Sequence, residues 1–415
     1  MTRVIHTGDT HIGYQQYHSA ERRQDFLDAF EQVIDDAIEM DVAAVIHAGD
    51  LFHDRRPELP DLLGTLNALR RLAAADIPFL AVVGNHESTR GGQWLDLFER
   101  LDLATRLGSE PVIVGSAAIY GLDHVPVSRR DDLDYAFASP ADEATQSVLV
   151  SHGLFTPFAH ANWETETVLE ESTVDFDAVL LGDNHEAGIE QVDETWVTYC
   201  GSTERASASE RDGRGYNVVD FGDEEGPAGV DIRQRSVKTR PFVFVSVDLA
   251  EGEGSSRVRE QVRQYDLDDA VVSVEILGDG EPVTPASIEE FALDPGALVA
   301  HITDRREIET EAELSVSFAD PDAAVDEKIR DLELSETALD IDETVRASKL
   351  ADSNVREEIS QLVEDGVVSE PADPVDGTGS DDLTGTEAET VGDEPADEPT
   401  NEPATDGQLS LEDLQ

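Results

Sequence analysis

The chain runs to 415 residues, with 29 Lys or Arg against 92 Asp or Glu and a formal net charge of −63. That length accommodates two or three domains around a buried core, and that charge excludes the basic patch on which nucleic-acid binders usually rely. The acidity runs along the whole chain and not along one face for a basic partner, so it reads as adaptation to the salt-loaded cytoplasm of an extreme halophile, where a Debye length of about 3 Å in molar salt screens the self-repulsion.

A strand over residues 4–6 opens the chain, without the charged leader and apolar run of a secretion signal. A helix over 19–40 follows, with Phe26, Phe30, Val33, Ile34 and Ile38 on one face. Strands over 42–47 and 79–83 alternate with helices over 59–75 and 94–103. From residue 111 strands dominate, at 111–114, 118–122, 148–151, 178–181, 195–200 and 216–221. Alternating α/β followed by strands predicts two sheets packed face to face with helices outside. Cys200, the only cysteine, closes the apolar run W-V-T-Y-C. It rules out an internal disulfide, fits a reducing compartment and reads as a buried, inert thiol.

A second unit begins at Pro241. Strands over 242–247, 270–276 and 298–302 enclose helices near 256–265 and 285–291, a βαβαβ segment. Residues 321–366 read as charged helices. After Arg356 the chain has no basic and no aromatic residue but 19 acidic ones. Such a composition buries too little apolar surface to fold, so the tail is expected to be disordered. No apolar stretch approaches the roughly 18 residues that span a bilayer, and a soluble, cytoplasmic chain is expected. The expected units are residues 1–240, 241–320, 321–366 and 367–415.

The chemistry lies where strands end. The first ends G-D-T-H (Asp9, His11) and the second A-G-D-L-F-H (Asp50, His53). The third ends V-G-N-H-E (Asn85, His86, Glu87), strand 148–151 ends S-H-G (His152), and strand 178–181 ends G-D-N-H (Asp183, His185). One D-x-H is a weak signal, and a lone strand-end histidine is usually structural. Five such endings in one chain point to a single crevice beyond the carboxyl ends of the strands, where open α/β sheets bind ligands. Carboxylate, amide and imidazole without thiolate suit manganese, iron or zinc. The candidates outnumber the needs of one ion, so two ions bridged by a carboxylate are expected, a pair suited to in-line displacement at phosphorus.

The order D-x-H, G-D, G-N-H, H and G-x-x-H resembles that of the calcineurin-like metallophosphoesterases. Within them, H-I-G-Y after Thr10, the run G-D-L-F-H-D-R-R-P and the segment Y-C-G-S-T-E-R-A-S resemble the Mre-eleven/SbcD double-strand-break repair nucleases. The resemblance covers residues 1–240 and, in layout, 241–320. It implies a four-layer α/β metallophosphoesterase fold of two packed mixed β-sheets flanked by helices, with a smaller α+β capping domain. It further implies two Mn2+ per chain: Asp9, His11, Asp50 and His185 hold one, while Asp50 bridges to a second completed by Asn85, His152 and Asp183. His86 would donate a proton to the leaving ribose oxygen, a task suited to an imidazole. His53 and Arg56 would touch substrate phosphates. The chain departs from the family twice, with Asp183 where histidine is usual and Glu87 where aspartate usually follows G-N-H.

The implied activity is a manganese-dependent DNA nuclease at double-strand break ends, a 3′-to-5′ exonuclease on duplex DNA and an endonuclease on single strands. Its implied partners are DNA ends, a Rad-fifty/SbcC-type ABC ATPase docked on residues 321–366, and a second copy in a homodimer within a heterotetramer, associated with the nucleoid. The alternatives are a small-substrate phosphodiesterase and a mainly architectural subunit at DNA ends. Gln408, Leu411 and Leu414 fall at the spacing of a sliding-clamp box without its closing aromatics; isolated leucines are the commoner reading. His18, Arg22 and Arg23 line the DNA path or merely start an exposed helix. His6 and His47 read as core groups, and His124, His160 and His301 have no assignment.

Overall fold

The computed structural model describes residues 2–88, 92–140, 144–222 and 229–306. The expected helices over 321–366, the acidic tail from 367 and the clamp-like end therefore lie outside the described residues. The first sheet is built from β1 (Thr2–Thr7), β2 (Ala44–His47), β3 (Phe79–Ala81) and β4 (Thr105–Arg106), with β11 (Gly215–Phe221) and β12 (Val230–Ser236). Its order is β12-β11-β1-β2-β3-β4, parallel from β1 to β4 and antiparallel across β11 and β12. The second is built from β5 (Val112–Val114), β6 (Ala117–Leu122), β7 (Gln146–His152), β8 (Ala178–Gly182), β9 (Gly188–Val192) and β10 (Thr195–Tyr199). Its order is β5-β6-β7-β8-β10-β9, parallel from β6 through β10 with antiparallel edges.

The two sheets meet face to face. Val4, Ile46, Leu80 and Val219 of the first share one core with Ile119, Val148, Val150 and Leu180 of the second. Strands covered on both faces read as near-continuous apolar runs, which is why A-V-L-L and S-V-L-V stand out in the sequence. The outer face of the first sheet is covered by α1 (Ala20–Met40), α2 (Leu59–Ala74) and α3 (Trp94–Arg100). Ser19 caps α1, its hydroxyl accepting from the Arg22 N–H. Phe26, Phe30, Val33 and Ile34 are buried, each contributing roughly 1.5–3 kcal/mol relative to exposure. The outer face of the second sheet carries Val168 of α4 (Thr165–Glu171) with Tyr120, Leu149 and Val179. The result is the four-layer arrangement.

Three further strands, β13 (Phe242–Leu249), β14 (Val271–Gly278) and β15 (Val299–Asp304), form a parallel sheet. With α5 (Ser255–Val262) and α6 (Pro285–Leu293) they enclose a separate core around Val245, Val258, Val274 and Ile288.

Parallel neighbours bring the carboxyl ends of β1, β2 and β3 side by side, and glycines let them close in. At Gly84 a Cβ would overlap the backbone nitrogen and carboxylate of Asp50; at Gly49, with φ +93, it would lie 2.5 Å from His152 Nδ1. Gly84→Ala must therefore displace Asp50. The expected loss is about 1–3 kcal/mol of stability, read as a lower urea midpoint in molar KCl; an unchanged midpoint contradicts this account of the packing.

Candidate metal centre

The loops after β1 and β2 prolong the parallel pairing beyond the strands. Asp9 N–H donates to the Gly49 carbonyl, His11 N–H to that of Asp50 and His53 N–H to that of Ile12, at 3.0, 3.0 and 3.1 Å. This zipper fixes which side chains face inward. Asp9, His11, Asp50 and Asp183 all take left-handed backbone conformations, with φ of 47, 42, 56 and 92°. Such conformations cost of order 1 kcal/mol or more and gather at functional sites. Aspartate tolerates them better than most residues, which is also why Asp41, Asp76 and Asp102 adopt them at helix ends and turns.

Asp9, His11, Asp50, Asn85 and His152 are almost wholly buried. Asp183 and His185 form a more open rim, with side chains 18% and 28% exposed. Asp9, Asp50 and His152 offer donor atoms within 4.8 Å of one another, as do Asp9, His11 and His185, and as do His11, His53 and His86. The Asp183 N–H donates to both oxygens of Asp9 at 3.0 Å.

The donor directions test whether a cation fits. His152 Nδ1 lies 2.8 Å from the Ala48 carbonyl and donates to it. Its Nε2 then faces Asn85 Oδ1 at 2.9 Å, Asp50 Oδ2 at 3.5 Å and Asp183 Oδ1 at 3.8 Å. A ring nitrogen facing three oxygens calls for positive charge between them, a proton in the protein alone or a cation in its place. On the other side His11 Nε2 and His185 Nε2 face each other at 2.9 Å, and His11 Nδ1 is buried without a hydrogen-bond partner.

The electrostatics agree with the donor set. Burial and the neighbouring charges of Asp50 and Asp183, against His152 and His185, push the Asp9 carboxyl up to about 6. Burial disfavours a charged His185, yet Glu210, Asp9 and Asp183 together raise it to about 9. His152 is likewise held well above its ordinary value by Asp50, Asp183 and Asp9 despite burial. Protons are thus drawn to Asp9, His152 and His185, while burial keeps His11 neutral and the surrounding imidazoles keep Asp50 ionised.

Seven of the sequence-predicted residues, Asp9, His11, Asp50, Asn85, His152, Asp183 and His185, are thus brought together. His86 adjoins them, its ring 4.8 Å from that of His11. Its N–H donates to Asp50 Oδ1 at 3.0 Å, and its Nδ1 lies 2.8 Å from the His53 carbonyl. Glu87 does not orient it. That buried carboxylate accepts from the Phe52 and Gly84 N–H groups instead, and burial with the Asp50 charge pushes it up to about 7. His53 stacks on Tyr14 at 3.9 Å, and both line a cavity of about 270 Å³ with Arg56 and Arg23.

Arg22 is corrected. It is fully buried, pairs with Asp25 and Glu204, and lies 4.9 Å from the Phe242 ring, so it binds the first helix to the third sheet and lines no DNA path. Arg23 is tied to Asp61 and Glu58. His47 meets Thr10 Oγ1 at 3.0 Å, and burial lowers both His6 and His47 to about 3, so they stay neutral. Cys200 is buried, and burial raises its thiol.

Sequence reasoning missed three neighbours of the site. Glu210 accepts from His185 Nδ1 at 2.8 Å. His124 lies with its ring 6.0 Å from that of His152. Arg130 lies 4.1 Å over the Trp163 ring, bonded to Asn162, and feels the charge of Asp183. Only Glu210 had a signal, in the segment Y-C-G-S-T-E-R-A-S and the residues directly after it.

Residues 2–187 match the calcineurin-like phosphoesterase family model. Over 395 residues the chain is 66% identical to the DNA double-strand break repair protein Mre11 of Haloferax volcanii, covering 95% of this chain and 88% of that protein. Over 382 residues it is 57% identical to the protein of the same description in Halobacterium salinarum, covering 91% and 98%. The corresponding protein of Methanosarcina acetivorans is 44% identical over 405 residues, covering 92% and 65%.

A divalent ion at His185 must displace its proton, because only the neutral ring has a lone pair to give. With the ring at about 9, affinity for Mn2+ should rise about tenfold per pH unit up to that point, with about one proton released per ion there. Titration calorimetry in buffers of differing ionisation heat reads both. Proton-free binding at pH 7.5 contradicts the assignment.

Proposed function

The chain belongs to the Mre11 family of calcineurin-like phosphoesterases and is a metal-dependent phosphodiesterase; on that premise we propose that it is a manganese-dependent nuclease processing DNA double-strand break ends. The observation that carries this reading is the convergence of Asp9, His11, Asp50, Asn85, His152, Asp183 and His185 with His86 beside them. On this reading Asp9, His11, Asp50 and His185 would hold one ion, and Asp50 with Asn85, His152 and Asp183 would hold a second. When bound, such a pair polarises a phosphodiester and lowers the pKa of a water held beside it.

The chain's own groups do the rest. The Ala48 and His53 carbonyls fix the Nδ1 protons of His152 and His86, so that each ring presents Nε2 towards the cleft. On this reading His86, tethered at both backbone and ring, delivers a proton from Nε2 to a leaving oxygen. His53, stacked on Tyr14, and Arg56 stand along the cavity beside it, where they meet the phosphates of a strand.

Double-strand exonuclease and single-strand endonuclease activities, an ABC-type ATPase partner and nucleoid association belong to the same proposal. So does a homodimer: Leu59 and Leu63 on α2 and Leu97 on α3, with Leu101 just beyond, are 41–65% exposed, an apolar surface whose occupant on this reading is a second copy. The third sheet would serve as the capping domain that recognises DNA shape. Phosphate contacts weaken steeply with salt, so the metal pair and shape must carry much of the binding in a saline cell.

The test is cleavage of linear duplex DNA against bis-p-nitrophenyl phosphate in roughly 2 M KCl, where exposed charges are screened within about 3 Å, across a manganese titration. Manganese-dependent DNA degradation is expected, with His86→Ser lowering it about 100- to 10,000-fold while Mn2+ binding persists. Turnover of the small diester with DNA left intact contradicts a self-sufficient nuclease and favours the small-substrate reading.

A further inference from the structure

We infer that Glu210 is a positioning residue for the metal centre: it sets the tautomer of His185 so that Nε2 is free for the ion. The inference rests on the metal reading of the previous section and adds a residue to it. Metal-ligating imidazoles commonly donate their second ring N–H to a carboxylate or carbonyl, which fixes orientation and raises basicity.

The geometry makes the carboxylate specific. Oε1 faces His185 Nδ1 at 2.8 Å. Oε2 accepts from the Ala206 N–H at 3.0 Å and from Arg214 Nη1 at 3.2 Å. Both oxygens therefore face donors, and the side chain is only 14% exposed. Arg214, itself buried, also donates to the His185 carbonyl at 2.8 Å and to Ser202 Oγ at 3.1 Å. One guanidinium thus holds the backbone of His185 and the group that holds its ring. The Arg205 Nε donates to the Glu210 carbonyl at 3.0 Å, and its Nη1 to Thr239 Oγ1 at 2.9 Å, which fixes the loop from below.

A glutamine cannot replace this carboxylate. In one orientation its NH2 meets the Ala206 N–H and Arg214, donor against donor. In the other its NH2 points at His185 Nδ1, which must then accept, moving the ring proton to Nε2 and blocking the ligand atom. Alanine leaves His185 free to choose its tautomer. A tautomer-setting role therefore makes Glu210→Gln at least as harmful as Glu210→Ala, whereas a merely space-filling role makes the near-isosteric glutamine the milder change.

The experiment is Mn2+ binding by calorimetry to the full chain in molar KCl, for the parent, Glu210→Gln and Glu210→Ala. The expected result is about a 10- to 100-fold loss of affinity in Glu210→Gln, no smaller than that in Glu210→Ala. Glutamine within about twofold of the parent, or alanine the worse of the two, overturns the inference and leaves the metal site standing. A parent chain that binds no Mn2+ overturns the metal reading and this inference together. Should the variants fail to fold, ring-nitrogen NMR of the metal-free parent at a pH where the His185 ring is neutral decides: the proton is expected on Nδ1 facing Glu210, and a proton on Nε2 overturns the inference.

Discussion

Everything in the site depends on a concentration of buried negative charge. Asp9 and Asp50 lie on the floor of a crevice with Asp183 at its rim, and carboxylates so placed cannot all remain ionised without cations nearby. In the protein alone, the imidazoles of His152 and His185 hold protons well above their ordinary range to supply that charge. A divalent ion supplies it more compactly. The fold is arranged around the requirement: parallel strands end together, glycines admit the side chains, and aspartates accept the left-handed turns.

Much of this is legible in the sequence alone, because strand-end residues are chemically conspicuous. The continuous apolar runs of β7 and β8 mark strands buried on both faces, and the five polar endings mark one rim. What stayed hidden has physical reasons. β9 and β12 present mostly exposed or half-buried side chains, so their sequences carry no apolar run. β4 spans two residues, Thr105–Arg106, too few to show a period. Glu210 lies just past the conspicuous segment Y-C-G-S-T-E-R-A-S, but 25 residues separate it from His185, and nothing in a glutamate announces which ring it will meet. Arg22 misled for a related reason: a charged residue at a helix start is usually solvated, and here it is sealed between Asp25, Glu204 and two phenylalanine rings.

The charge of the chain and the charge of the site answer different demands. The surface acidity suits salt, in keeping with the Haloferax and Halobacterium relatives, and screening at about 3 Å removes most of its repulsion. The buried Asp9 and Asp50 are screened far less than the surface, so their demand for positive charge weakens little with salt. Asp183 adds one more negative charge at the rim; on the proposed metal reading that charge would strengthen the hold on a hard divalent ion and make a water held beside it less acidic.

The most direct measurement is anomalous diffraction from crystals soaked in manganese. The account predicts two peaks about 3.5–4 Å apart, one among Asp9, His11, Asp50 and His185 and the other among Asp50, Asn85, His152 and Asp183. A single peak, or peaks away from these residues, would contradict it.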